Sequence, residues 1–235
     1  MKILNTALFL LFPTVCGICG KISKKAICEN CYKTMKEKIK ANIDDYSQDK
    51  SKYFEEHAYL FFYEDMIREK ILQYKFHEKS YLAEMFSEFF VKNEKISGFL
   101  KKYDIIIPVP ISKKRLHQRG YNQSALIARN ISKNSNILYQ NILIKYRDNL
   151  PQSTLNKEKR MQNVKNVYKL QNMPTIRKKK ILLFDDIYTT GSTTNECARI
   201  LKQARSRKSR SFDNCKGQIS LKKLQRKGKV NGRFN

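Results

Sequence analysis

The apolar run Lys180-Ile181-Leu182-Leu183-Phe184 passes directly into Asp185-Asp186-Ile187-Tyr188-Thr189-Thr190-Gly191-Ser192-Thr193. A helical stretch follows, from about Thr193 to Lys202. A short continuous aliphatic run of this kind reads as a strand buried on both faces, the signature of a parallel sheet. The order strand, paired carboxylates, hydroxyl-and-glycine loop, helix restricts the chain to α/β folds and places chemistry at one point. The loop can present backbone N–H groups and the hydroxyls of Thr189, Thr190, Ser192 and Thr193 to a phosphate, with the positive end of the helix behind them. Asp185 and Asp186 fall at the carboxyl end of the strand, where open α/β sheets bind ligands. From there they can hold vicinal hydroxyls or a Mg2+ shell. An N-capped helix after an acidic turn would explain an Asp and a Ser or Thr. It does not explain two carboxylates, four hydroxyls and a glycine together.

Upstream elements agree. Ala58 to Tyr63 reads as a strand by aromatic content. Met66 to Phe76 suits a helix, and Tyr81, Leu82, Met85, Phe86, Phe89 and Phe90 repeat at helical spacing as a core stripe. Asp104-Ile105-Ile106-Ile107-Pro108-Val109-Pro110 is a second buried strand, ended by prolines. A helix near Gln123 to Ser132 and a weaker strand near Ile142 to Lys145 come next. Alternating strands and helices predict a mainly parallel sheet with crossover connections. The polar cluster after residue 40 reads as a linker, so the expected division is 1–40, linker 41–56, and an α/β domain over 57–203.

The N-terminal region carries a second signal, Cys16-Gly17-Ile18-Cys19 and then Cys28-Glu29-Asn30-Cys31. A two-residue spacer lets both thiolates of a pair face one centre, and four sulfurs complete a tetrahedral Zn2+ site of the closed, structural kind. Two disulfides or a redox pair are the alternatives. The apolar decamer Ile3 to Phe12 has no small-residue cleavage site behind it, which favours a helix over an export signal, a reducing cytoplasm and hence zinc. No apolar stretch reaches the ~18 residues of a membrane span, so an integral membrane protein is not expected. Cys197, Cys215 and the three histidines form no ligand or triad pattern. The chain has 48 Lys and Arg against 21 Asp and Glu, a formal charge of +27. That surplus favours a polyanionic partner, although a coding bias toward lysine would raise it too.

The window Phe184 to Thr193 resembles the phosphoribosyl-pyrophosphate (PRPP) motif of type I phosphoribosyltransferases. Ile107-Pro108-Val109-Pro110 with Arg115 and Arg119-Gly120-Tyr121-Asn122-Gln123 narrows the match. So do Arg147, Gln152, Leu155, Arg160 and Asn163, and the four cysteines in front. Together they resemble the ComF family of competence-associated, phosphoribosyltransferase-like proteins over most of residues 1–203. The resemblance implies that Asp185 and Asp186 are the catalytic pair, contacting the ribose hydroxyls of PRPP and its Mg2+. It implies that Thr189, Thr190, Gly191, Ser192 and Thr193 cradle the 5′-phosphate and that Arg115 and Arg119 clamp the diphosphate. Gln152, Arg160 and Asn163 would belong to a flexible loop covering the ligand.

In function, the resemblance implies a cytoplasmic protein that binds Mg2+–PRPP and handles incoming single-stranded DNA. Other DNA-uptake proteins would be partners, and an uptake complex would bring it to the membrane. The basic segments Lys113 to Arg119 and Lys157 to Lys165 suit a strand partner. No acceptor base is legible, so a salvage phosphoribosyltransferase and a PRPP-sensing regulator remain open readings. Residues 204–235 depart from the family pattern: 11 Lys and Arg against one Asp, with no continuous apolar run. That composition predicts a tail without a packed strand, disordered, frame-altered or a basic arm, leaving the sheet without its C-terminal strand.

Overall fold

The computed structural model describes residues 13–77, 79–147, 166–171, 176, 179–206 and 215–222. After α1 (Glu29–Glu37) come β1 (Asn42–Asp45), β2 (Phe54–Phe62), α2 (Asp65–Phe76), α3 (Leu82–Lys92) and α4 (Glu94–Leu100). Then follow β3 (Ile105–Pro108), α5 (Lys113–Arg119), α6 (Gln123–Lys133), β4 (Leu138–Tyr139), β5 (Leu143–Lys145) and β6 (Tyr168–Leu170). The described chain continues through β7 (Ile181–Tyr188), α7 (Ser192–Ser206) and β8 (Cys215–Lys222). The main sheet has six strands in the order β1-β2-β8-β7-β3-β4. Every neighbouring pair is parallel except β1 with β2. This is the expected α/β architecture with a mainly parallel sheet.

The two central apolar runs explain the layers. Side chains alternate across a strand, and β7 sends Leu182 and Phe184 to one buried cluster and Ile181 and Leu183 to the other. Ile106 and its neighbours Ile105 and Ile107 divide in the same way. The first cluster is the larger. Leu82, Met85, Phe86, Phe89 and Phe90 of α3 lie at successive turns and are all buried there. Each such side chain contributes about 1.5–3 kcal/mol by leaving water. On the opposite face α7 buries Cys197, Ala198 and Leu201 against Val167 and Tyr168. Tyr74 of α2, fully buried, donates its hydroxyl to the Gln123 carbonyl at 2.9 Å and ties α2 to the start of α6.

Three expectations need correction. The stretch read as a linker, 41–56, contains β1 and the beginning of β2, with Asn42 opposite Tyr59 and Asp45 opposite Glu56. An edge strand with partly exposed residues can be polar, and polarity protects it from pairing with other chains, so composition alone mistook it for a loop. The expectation of a tail without a packed strand fails over 215–222, while residues 207–214 and 223–235 of that tail lie outside the described residues. Helix α7 runs on to Ser206, and β8 lies between β2 and β7, pairing with both. Cys215, Gly217, Ile219 and Leu221 alternate with Lys216, Gln218, Ser220 and Lys222. This period of two is a strand signal that a search for continuous apolar residues passes over. Finally, the weak strand near Ile142 to Lys145 leaves the main sheet. Among the described residues, β5 pairs only with β6, antiparallel, Leu143 opposite Leu170.

Candidate functional site

The carboxyl ends of β3 and β7 and the first turn of α7 enclose a cavity of about 230 Å³. Asp185, Asp186, Thr189, Gly191, Ser192, Thr193, Arg115 and Arg119 all line it. Thr190 is not a wall residue, but its Oγ1 lies 2.7 Å from Ser192 Oγ inside the loop. The expected loop residues Gln152, Arg160 and Asn163 lie outside the described residues.

Local sequence builds each wall. The pairing of β7 with β8 slips between Phe184 and Ile187, so the two aspartates sit at an irregularity in the ladder, a common device for re-aiming side chains. Gly191 has φ +72°, and a Cβ there would fall 2.6 Å from the Tyr188 ring. Only glycine lets the loop turn this tightly over that ring. Helix α5 is short; Ser112 caps its start by accepting from Arg115 N at 3.4 Å, and Gly120 ends it with φ +73°. Asn122 caps α6 through Ala125 N at 3.3 Å and donates to the Val109 carbonyl at 3.0 Å. That bond fastens the basic α5 segment to the turn after β3.

Lys75, Ser124, Lys145 and Tyr168 also line the cavity and stand outside the sequence motifs. Lys75, in the last turn of α2, places Nζ 2.6 Å from Asp186 Oδ2, with the two side chains 15% and 14% exposed. Asp185 Oδ1 accepts from the Asp186 N–H at 2.9 Å and, at 3.4 Å, from the Ser124 hydroxyl. Lys145 and Tyr168 arrive together because β5 and β6 pair in register. A lone lysine in the last turn of an amphipathic helix carries no sequence signal of its own, and Lys145 is one among 35 lysines.

The electrostatics are asymmetric. Burial, then the charge of Asp186, pushes the Asp185 carboxyl up to about 7, against the pull of Lys75 and the Asp186 N–H. Burial lowers the Arg119 pKa and neighbouring Arg115 adds to that, while Asp186 opposes them; the guanidinium stays charged. Lys75, Arg115, Arg119 and Lys145 therefore outnumber the two carboxylates. With the open start of α7 alongside, the cavity suits a strongly anionic ligand that also carries hydroxyls.

The second centre is formed by Cys16, Cys19, Cys28 and Cys31, whose sulfurs all lie within 4.8 Å of one another. Cys19 Sγ and Cys28 Sγ are 3.9 Å apart, close to the ~3.8 Å edge of a tetrahedron with Zn–S bonds of about 2.3 Å. The Cys28 N–H donates to Cys16 Sγ at 3.4 Å. Burial raises the Cys16 thiol, but the N–H groups of Cys19, Cys28 and Ile18 outweigh it and bring the value down to about 6. Burial and then the neighbouring thiols push Cys31 up to about 12. Four clustered sulfurs with donors aimed at one of them fit a metal such as zinc. Cys16, Ile27 and Met35 belong to the same buried cluster as α3. Gly17 lies so close to Leu82 and Met85 that a Cβ would approach them to 2.7 and 2.9 Å.

Among the described residues, no helix is long and apolar enough to cross a membrane. The architecture and cavity define an α/β protein with a cation-lined cavity at the end of its sheet and a four-cysteine centre packed on one flank. No family model matches the chain. Individual relatives do. Competence protein ComFC of Bacillus subtilis (strain 168) is 30% identical over 192 residues, covering 80% of this chain and 71% of the relative. Competence protein ComFC of Streptococcus pneumoniae is 27% identical over 199 residues, 84% of this chain and 86% of the relative. Competence protein F of Haemophilus influenzae is 34% identical over 115 residues, 48% and 50% of the two chains. The chain belongs to the ComF family.

Proposed function

We propose that this protein binds Mg2+–PRPP in the cavity at the end of β3 and β7, in a fold of the type I phosphoribosyltransferase kind. We propose further that it acts in DNA uptake by handling incoming single-stranded DNA. One observation carries the ligand assignment: a single cavity unites the paired aspartates, the Thr189–Thr193 loop at a helix start, and Arg115 and Arg119. The loop N–H groups and hydroxyls would take the 5′-phosphate. Asp186 and Asp185 would accept from the ribose hydroxyls, and the arginines would bind the diphosphate through paired N–H donors. Mg2+, held by Asp185 and Asp186 and the ligand, would supply charge neutralisation of the diphosphate. The DNA role rests on the names of the relatives, competence proteins and the "DNA utilization protein YhgH" of Escherichia coli, 30% identical over 135 residues. The basic charge of the chain adds to it.

Calorimetry with Mg2+–PRPP tests the site. The double variant Asp185→Asn/Asp186→Asn should lose affinity, since each charge-assisted contact is worth roughly 1.5–3 kcal/mol; an unchanged dissociation constant would contradict the assignment. A salt titration of oligonucleotide binding tests the DNA role, which requires affinity that falls steeply with salt. Assaying pyrophosphate release with a panel of bases decides whether transfer accompanies binding.

A further inference from the structure

Phe76, the last residue of α2, is 62% exposed although it is large and apolar. The Arg119 guanidinium lies over its ring, 5.0 Å from the centroid. Arg119 is also a wall of the cavity, whereas Phe76 is not. Beside them stands α5, which buries none of its residues and carries Lys113, Lys114, Arg115, His117 and Arg119 without an acidic side chain. Among the described residues no carboxylate forms an ion pair with Lys113, Lys114 or Arg115. Leu116, 44% exposed, adds a second apolar surface on the same helix.

A cavity for a small anion needs none of this. An exposed ring costs burial energy, and a helix that buries nothing contributes little to the core. Both features match a ligand that is a polyanion and also carries flat rings. Basic side chains tracking phosphates beside an aromatic platform on which bases stack is how single strands are held, and a guanidinium plane can stack as well. Neither a membrane surface nor an acidic peptide would use the face of Phe76 in this way.

We infer that Phe76, with the stacked Arg119 and the basic α5, forms the platform on which a single DNA strand lies at the cavity mouth. We infer also that Arg119, shared between platform and cavity, makes strand and phosphoribosyl ligand compete. The inference rests on the proposed function, whose two ligands it places side by side. Arg119 can direct its donors to a strand phosphate or to the bound diphosphate, but one guanidinium cannot serve both fully. The diphosphate complex then releases the strand, and an empty cavity favours holding it.

The test is fluorescence anisotropy with a labelled oligothymidylate, alongside calorimetry with Mg2+–PRPP on the same full-length samples. Phe76→Ala should weaken oligothymidylate binding about tenfold, the effect of one lost base stack, and leave PRPP affinity unchanged. Phe76→Trp should retain strand affinity. Lys113→Ala/Lys114→Ala should lower the salt slope by roughly 1.4, since each single-strand phosphate contact adds about 0.7. Saturating Mg2+–PRPP should weaken strand binding severalfold in the unaltered protein. Phe76 is exposed, so folding of its variants is expected to match the parent, and melting curves check this. If the parent protein binds the strand and Phe76→Ala binds it equally well, the platform is wrong while the DNA role stands. If PRPP leaves strand affinity untouched, the competition is wrong. Absence of any strand binding by the parent overturns both this inference and the DNA-handling proposal, and leaves the PRPP site to its own measurement.

Discussion

Asp185 binds its proton more tightly in the folded chain than an exposed aspartate does, about 7 against an ordinary value near 3.9. Between about pH 4 and 7 the folded state therefore holds more protons than the unfolded state, and stability falls as pH rises through that window. Below it the penalty vanishes; above it the penalty is complete. Asp185→Asn removes the ionisation while its amide oxygen still accepts from the Asp186 N–H. The variant should be more stable than the parent at pH 8, by about 1–2 kcal/mol, and the two should converge near pH 4. Converting the whole difference in proton affinity at ~1.4 kcal/mol per factor of ten would give more. The half-buried side chain keeps some contact with solvent, whose screening reduces the gain. Thermal melts across pH check it, and a variant less stable at pH 8 would contradict burial as the cause. The same substitution should weaken Mg2+–PRPP binding, so stability and binding move in opposite directions. Lys75 gives a complementary case. Its ammonium occupies Asp186 at 2.6 Å, where it competes with any free divalent cation. Lys75→Met should bind Mn2+ alone more tightly and Mg2+–PRPP about tenfold more weakly, through the loss of a cation from the cavity wall. Calorimetry with each titrant separates the effects, and two unchanged affinities would exclude a role for Lys75 in the site.

At the scale of elements, the Thr189–Thr193 loop depends on Gly191 and the four-cysteine turn on its packing against α3. Gly191→Ala places a Cβ against the Tyr188 ring and strains a positive φ, so the loop must shift. Mg2+–PRPP affinity should drop by at least tenfold while the metal content of the four-cysteine centre equals the parent's, measured by metal analysis of the same sample. Cys28→Ser should act from the other side, lowering the melting temperature of the whole protein, because Cys16 and Met35 share their cluster with Phe86 and Phe89. A melt identical to the parent's would show that the cysteines bear no load. Strands β3 and β7 and the Asp185–Thr193 loop were legible because burial on both faces writes itself as a continuous apolar run, and a ligand loop writes itself as an unusual local composition. The cysteine spacing was legible for a similar reason. Lys75 and Lys145 were not, because their role comes from the approach of α2 and of the β5–β6 pair, elements distant in sequence from Asp185. Strand β1 escaped because an edge strand has the composition of a loop, and β8 because its apolar residues alternate.

For the molecule as a whole, β8 is the strand on which the sheet's continuity depends. It pairs with β2 on one side, Ala58 opposite Ile219, and with β7 on the other, Phe184 opposite Ile219. Among the described strands no direct pairing joins β2 to β7. Ending the chain after Ser206 therefore splits the sheet into β1-β2 and β7-β3-β4 and leaves two interior edges with unpaired backbone groups. Each buried group so orphaned costs about 1–3 kcal/mol, and a bare edge also invites pairing with another chain. The damage reaches the site, because the slip in the β7–β8 ladder flanks Asp185 and Asp186. The truncated protein should melt well below the parent, expose apolar surface and aggregate, and lose Mg2+–PRPP binding together with its fold. Ending the chain after Lys222 keeps β8 and removes the 13 residues beyond it, five of them Lys or Arg. That shorter chain should melt like the parent and keep its PRPP affinity, with a strand affinity lowered only through a smaller salt slope. Equal melting temperatures for the two truncations would show that β8 contributes nothing to the sheet.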